Sequence, residues 1–427
     1  MGMTEFRSAT ARRIRLSRPV RESLVIFLAT RGGLLLFAPL AFFALSSWIP
    51  DLLHTKPPPF APFTGTMSFP AQFFLGPWSR WDSAWYLQIA RQGYFSAQST
   101  AFFPLYPVLT SLLGHVFRGN FALGGLLISL ASCLGAFILL YKLVELDFGP
   151  GIARRTVLFL AIFPTSFFFQ AIYTESLFLL LGIASLYAAR RQRYLLAGCL
   201  GFLAALTRNT GLLLLLPLAI IYFKQHHRNW RQIREDAIFL LFPLAGLGLW
   251  MLYLGIHFRN PWLFSDVQQQ WARQFISPLR GGPLNAFYHG FIIAADWSRH
   301  IPGGFIQSFW PHTARDRSFL ATEADFDFIF GSFFAIMSIA AFWRLPWEYP
   351  VYSLALIMVP ASFPHTPSNL TSPLFSMPRF VLPAFPVLML LAIWSEKRRW
   401  LNFVIVPVFL VLLLFLCSRF ILQEWVA

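Results

Sequence analysis

Long apolar stretches, interrupted by short basic or proline-bearing segments, set the pattern of this chain from end to end. A helix that crosses a bilayer needs about 20 predominantly apolar residues at ~1.5 Å each. Runs that meet or approach this length lie at 23–49, 121–143, 156–172, 176–189, 194–206, 212–223, 237–257, 328–343, 350–363, 380–394 and 401–416. The pattern predicts an all-α integral membrane protein with about 11 transmembrane helices. Several runs are short, and helices broken by proline or glycine at membrane depth are tolerated only where protein or a cavity covers the freed backbone. Short spans here therefore point to an internal cavity. The run after Arg21 is too long for a cleavable signal segment and reads as the first span.

Lysine and arginine collect on the cytoplasmic side of membrane proteins. With 1–22 placed there as a basic N-terminal segment, alternation puts several groups inside: Arg7 to Arg21, Lys142 with Arg154 and Arg155, Arg190 with Arg191 and Arg193, Lys224 to Arg234, Arg344, and Lys397 to Arg399. These make 20 of the 34 Lys and Arg, against 13 on the external side, although the external segments are collectively much longer. This topology requires that 102–117 not cross, and it reads as an amphipathic or re-entrant helix on the external surface. The large external loops are then 50–120 and 258–327. No composition break separates them from the spans, so 23–427 reads as one membrane-embedded domain. Prolines in Lys56-Pro-Pro-Pro-Phe60 mark a stiff extended stretch. Neither a short repeat nor an inverted repeat of the transporter kind is visible.

Composition agrees with the pattern. Of 427 residues, 57% are hydrophobic, 18% aromatic and only 12% charged, which excludes a soluble globular enzyme and intrinsic disorder alike. The net charge of +16 would suggest nucleic acid in a soluble protein, but in a bilayer it fits cytoplasmic loops beside anionic lipid. No nucleic-acid partner is expected. Cys133, Cys199 and Cys417 lie inside apolar runs at no metal or redox spacing.

Candidate chemistry concentrates in the external loops. In Trp81-Asp-Ser-Ala-Trp-Tyr86 a carboxylate is bracketed by aromatics, an arrangement costly to desolvate and suited to a base or binding group. An interfacial aromatic belt explains Trp81, Trp85 and Tyr86 equally well. Arg208 interrupts two apolar half-helices, where an unpaired arginine costs a few kcal/mol, unless it snorkels from a helix end. Arg379 opens a span with the same ambiguity. Arg273, near Gln268, Gln269, Gln270 and Trp271, fits either a ligand-binding group or a polar surface helix. Glu175 lies in a very short turn between two spans, where it caps a helix or faces a cavity. His365 stands in the loop Phe363-Pro-His-Thr-Pro367, and Asn369-Leu-Thr371 is a glycosylation sequon. No metal site is indicated: His226 and His227 fall among cytoplasmic arginines, and Asp325 with Asp327 reads as a solvated helix start.

These residues carry a family resemblance. Trp81 to Tyr86 with Ile89-Ala90 and Gly93-Tyr94, then Phe103-Pro-Leu-Tyr-Pro107, resembles the PIG-V-like mannosyltransferases, which include the second mannosyltransferase of GPI-anchor synthesis and its bacterial relatives. The likeness continues in order through Phe163-Pro-Thr-Ser166, Tyr173-Thr-Glu-Ser-Leu-Phe178, Leu206-Thr-Arg208 with Gly211-Leu212, Asn260-Pro261 with Phe264 and Gln268 to Trp271, and Arg379-Phe380 with Phe385-Pro386. It runs from about residue 80 to 394, and 281–324 holds no recognisable block.

The resemblance implies a GT-C glycosyltransferase fold with external juxtamembrane helices, in a bacterial inner membrane or the endoplasmic reticulum. It implies an enzyme that moves a hexose, mannose by the family's name, from a polyprenyl-phosphate donor to a hydroxyl of a glycolipid, glycan or protein. Transfer would invert the anomeric carbon on the external face, with the N-terminus cytoplasmic. Asp82 takes the position of the catalytic base. The departing lipid phosphate then needs cations, for which Arg208, Arg379 and His365 are candidates. Trp81, Trp85, Tyr86, Glu175, Gln268, Gln270, Trp271 and Arg273 would shape the sugar and acceptor site. No cofactor or divalent ion is expected beyond the lipid-linked co-substrate. The rivals are a lipid or glycolipid flippase, which would carry ionisable residues deep in its spans, and a non-catalytic membrane scaffold.

Overall fold

The computed structural model describes residues 16–46, 74–226, 233–295, 318–365, 373–422 and 426. The proline stretch at 56–60, His227 and the sequon at 369–371 lie outside the described residues. Among those described, every element is helical, and the one extended pairing is an isolated antiparallel bridge between Arg273 and His365.

The chain runs through α1 (Arg18–Phe27), α2 (Gly33–Ser46), α3 (Ser83–Gln92), α4 (Leu105–Val116), α5 (Phe121–Ala161), α6 (Glu175–Arg190), α7 (Tyr194–Ala205) and α8 (Leu215–Gln225). It continues with α9 (Phe242–Phe258), α10 (Leu263–Asp266), α11 (Gly282–Ala295), α12 (Ser318–Ala341), α13 (Glu348–Ala361), α14 (Met377–Phe380), α15 (Phe385–Lys397) and α16 (Trp400–Ile421). Among the described residues, five helical stretches are long and apolar enough to cross a bilayer: Arg18–Phe42, Phe121–Ala161, Glu235–Phe258, Ala324–Ala341 and Trp400–Ile421. The protein is a multi-pass membrane protein. The remaining apolar helices are shorter than a full crossing, as the sequence runs suggested.

Burial sorts these helices by position. Nearly every residue of α6 and α15 is buried, which places both at the centre of the bundle. By contrast α9 and α16 expose Leu249, Leu252, Ile256, Phe403 and Val411, apolar surface that lipid must cover. Small residues allow the closest approaches: a Cβ at Gly198 or Gly246 would collide with backbone of a neighbouring helix. The segment 102–117 forms α4, an amphipathic helix that buries Tyr106 and Thr110 and exposes Val108, Leu112 and Val116.

One connection is located and one sequence boundary is corrected. Within 144–155 two helices meet at a break, where Gly149 (φ +79°, ψ 175°) leaves the helical region just before Pro150. The run at 156–172 does not stay helical. It ends at Ala161, and after Pro164 the chain folds into the tight turn Ser166–Phe169. Arg31 explains this ending. A π-helical turn at Leu28–Gly32 carries Arg31 inward, fully buried, where it donates to the carbonyl oxygens of Ala161 and Ser166 and to Ser166 Oγ. A cation at a helix C-terminus satisfies orphaned carbonyls and opposes the helix dipole.

At the far end of α6 a second polar group ties four helices. Arg190 donates to both Asp147 oxygens at 2.7 and 2.5 Å, Tyr349 donates to Asp147 at 2.9 Å, and Lys224 pairs with Glu348. This clamp joins α5, α6, α8 and α13 at one end of the bundle. The opposite end of α6, about 23 Å away by helical rise, carries Glu175 and the candidate site.

Candidate active site

Three segments far apart in sequence meet at the start of α6. Asp82 comes from the turn before α3, Glu175 from the first turn of α6, and Arg379 from α14. Arg379 Nη1 donates to Asp82 Oδ2 at 2.5 Å and its Nε to Glu175 Oε1 at 2.5 Å. Arg208, at the break between α7 and the turn Asn209–Leu214, donates to the same Glu175 oxygen at 2.6 Å. The charges therefore alternate along one continuous chain: Asp82, Arg379, Glu175, Arg208. Glu175 is fully buried, and its second oxygen has no hydrogen-bond partner. Asp82 is the open end, its side chain 23% exposed.

The local fold of Asp82 is informative. Aspartate before a helix ordinarily accepts from backbone N–H groups of the first turn. Asp82 occupies that position before α3 yet makes no such bond, and its carboxylate turns to Arg379 instead. Burial of Arg379 opposes its charge, but Glu175 and Asp82 outweigh that and hold its proton more tightly than an ordinary arginine's. Its guanidinium also lies over the Tyr173 ring, 4.5 Å from the centroid, and over Phe168 at 5.7 Å.

Arg379 is held in place from two sides. The N–H of Met377 donates to Asp327 Oδ1 at 3.0 Å, and Thr165 Oγ1 donates to the Pro378 carbonyl at 2.7 Å. Asp327, read as part of a solvated helix start, is thus a buried group that fixes the turn of Arg379. It escaped notice because its partner is a backbone N–H 50 residues away.

Over this cluster comes the 258–280 segment. The Arg273 guanidinium lies 4.9 Å from the Phe380 ring centroid and donates to the Phe375 carbonyl at 3.0 Å. Burial pushes Arg273 down to about 10, against the pull of Asp327. His365 joins this layer through its bridge to Arg273, and its ring packs 5.2 Å from Phe375. Trp271 stands edge-on to Trp85 at 6.3 Å, while Trp85 is stacked on Phe95 and Phe102 at 5.8 and 5.4 Å. Tyr86, the next residue of α3, is buried, its hydroxyl 3.4 Å from Thr174 Oγ1, and burial raises it to about 12. Trp81 remains 38% exposed beside Asp82. Gln268 bonds to the Phe264 carbonyl within its own turn and Gln270 is exposed, so neither joins the cluster. Short 3-10 geometry at Val267–Trp271 turns them away while carrying Trp271 inward.

Tyr173 belongs to a family block but was given no role by the sequence. Its hydroxyl accepts from the Asp82 N–H at 3.2 Å and donates to the Arg80 carbonyl at 3.1 Å. Its place two residues before Glu175 was the available signal.

Fold and site together define a polytopic membrane protein with a buried acid–arginine site at one end of its helices, roofed by aromatics. Residues 54–243 match the family model described as mannosyltransferase (PIG-V), in agreement with the motif resemblance. The chain is 27% identical over 237 residues to GPI mannosyltransferase 2 of Yarrowia lipolytica, covering 54% of this chain and 63% of that one. It is 31% identical over 167 residues to GPI alpha-1,6-mannosyltransferase 2 of Rattus norvegicus, covering 37% and 34%. The chain thus spans less than two thirds of the curated relatives' length. Among solved structures it is similar to ArnT from Cupriavidus metallidurans bound to undecaprenyl phosphate, with 16% identity, a TM-score of 0.46 and coverage of 88% and 60%.

Proposed function

We propose that the protein is a GT-C-type glycosyltransferase that moves a hexose, mannose by family likeness, from a polyprenyl-phosphate donor to a hydroxyl of a glycolipid acceptor. One observation carries the reading: a carboxylate at the open end of a buried acid–arginine chain, where base and phosphate counter-charges lie side by side. The acceptor oxygen attacks the anomeric carbon from the face opposite the phosphate, so the configuration inverts. As that bond forms, the carbon–oxygen bond to phosphate breaks with its electron pair, and the acceptor proton passes to Asp82. The ion pair with Arg379 engages Oδ2 and leaves Oδ1 available for the hydroxyl. Arg379, Arg208 and Arg273 supply the positive charge that the departing lipid phosphate needs, and guanidinium suits phosphate oxygens. Trp271 offers an apolar face for a sugar ring, backed by Trp85, which is itself stacked on Phe95 and Phe102. The reaction lies on the external, luminal or periplasmic, face with the N-terminus cytoplasmic.

With arginines supplying the counter-charge to the lipid phosphate, transfer should proceed undiminished in EDTA; loss restored by Mg²⁺ or Mn²⁺ overturns that part. The central test offers detergent-solubilised protein a mixture of polyprenyl-phosphate sugars with glycolipid acceptors and follows both lipids by mass spectrometry. Consumption of one donor, abolished in Asp82→Asn, supports the reading. A folded protein that binds donor and forms no product favours a flippase or scaffold.

A further inference from the structure

We propose that the Tyr173 hydroxyl is a positioning group that clamps the backbone around Trp81 and thereby aims the Asp82 carboxylate. This rests on the reading of Asp82 as the base. Trp81 has φ +51°, a left-handed conformation that a bulky side chain rarely adopts. Such a residue persists only where its surroundings over-determine it. The two groups that flank it in the chain, the Arg80 carbonyl and the Asp82 N–H, both bond to the one Tyr173 oxygen, at 3.1 and 3.2 Å. The hydroxyl thus closes a ring around the strained residue from outside the segment. The Ser83 N–H donates to the same Arg80 carbonyl at 3.1 Å, which locks the turn into the start of α3.

The same side chain touches the other half of the ion pair, since its ring lies under the Arg379 guanidinium. Tyr173 is itself 2% exposed, so no competing water loosens the clamp. Without the hydroxyl, Trp81 relaxes toward negative φ, and the Asp82 carboxylate, still tethered at Oδ2 to Arg379, turns Oδ1 off the acceptor.

Tyr173→Phe removes the hydroxyl and keeps the ring. It should lower kcat about tenfold, the loss of about one hydrogen bond's worth of placement, while donor KM stays within about twofold because the arginines are untouched. Glycine adopts positive φ freely, so in a Trp81→Gly background the same substitution should cost less than about threefold. Unchanged kcat in Tyr173→Phe, or an equal loss in both backgrounds, overturns the clamp. So does a parallel fall in melting temperature and rise in KM, the mark of a merely structural role. Full activity of Asp82→Asn would sink the base assignment itself. An inactive Asp82→Asn beside a fully active Tyr173→Phe would sink the clamp alone.

Discussion

Asp82 gives up a helix-capping bond to face an arginine, and a residue placed against its own local preference invites a mutational test. Asp82→Asn keeps the shape but takes no proton, so kcat should fall by about 10²–10⁴ with donor KM little changed, read by steady-state transfer. Arg208 touches Glu175 and not Asp82. Arg208→Met should therefore act on the donor side and raise donor KM about tenfold to a hundredfold, the worth of a charge-assisted bond. An unchanged donor KM would return Arg208 to a structural role. The charged members of this site were legible because an ionised group in an apolar run is costly wherever it is met. Tyr173 and Asp327 were not: an aromatic beside apolar runs looks like a belt residue, and an aspartate near a helix start looks solvated. Only the partner in space distinguishes them.

At the scale of elements, α6 carries the site at its first residue and the helix clamp at its last. Glu348 is almost fully buried and serves Lys224, with Arg190 3.7 Å away. Glu348→Gln should cost about 1–3 kcal/mol, visible as a lower unfolding temperature in detergent, while donor KM stays at the wild-type value because the site lies at the other end of α6. At the site end, Arg31 holds the turn that ends α5, and that turn bears Thr165 and Phe168, both in contact with the Pro378-Arg379 segment. Arg31→Met should free the Ala161 and Ser166 carbonyls and lower kcat and stability together, checked by transfer rate and thermal unfolding on one preparation. Hydropathy foresaw the long apolar helices, though not α11, which lies in the segment read as an external loop. It misplaced the end of α5, since Phe163 to Phe169 is as apolar as a span and only Pro164 and the buried guanidinium turn it into a bend.

On the scale of the whole molecule, the site and the clamp lie at opposite ends of one helix, so the two ends should open to opposite sides of the membrane. In a cysteine-free background, Gln270→Cys should react with an impermeant maleimide from the external side of sealed vesicles and Arg193→Cys only after permeabilisation. Labelling of both from one side would contradict the topology. What the sequence by itself determined is what depends on local composition: a lipid-solvated, all-helical chain and the costly charges left among apolar residues. The tertiary structure decided which charges meet. Asp82 and Arg379 are 297 residues apart, and no periodicity links them. Hydropathy is summed along the chain and so survives in one dimension, whereas an ion pair depends on a distance that only the packing of α3, α6 and α14 defines.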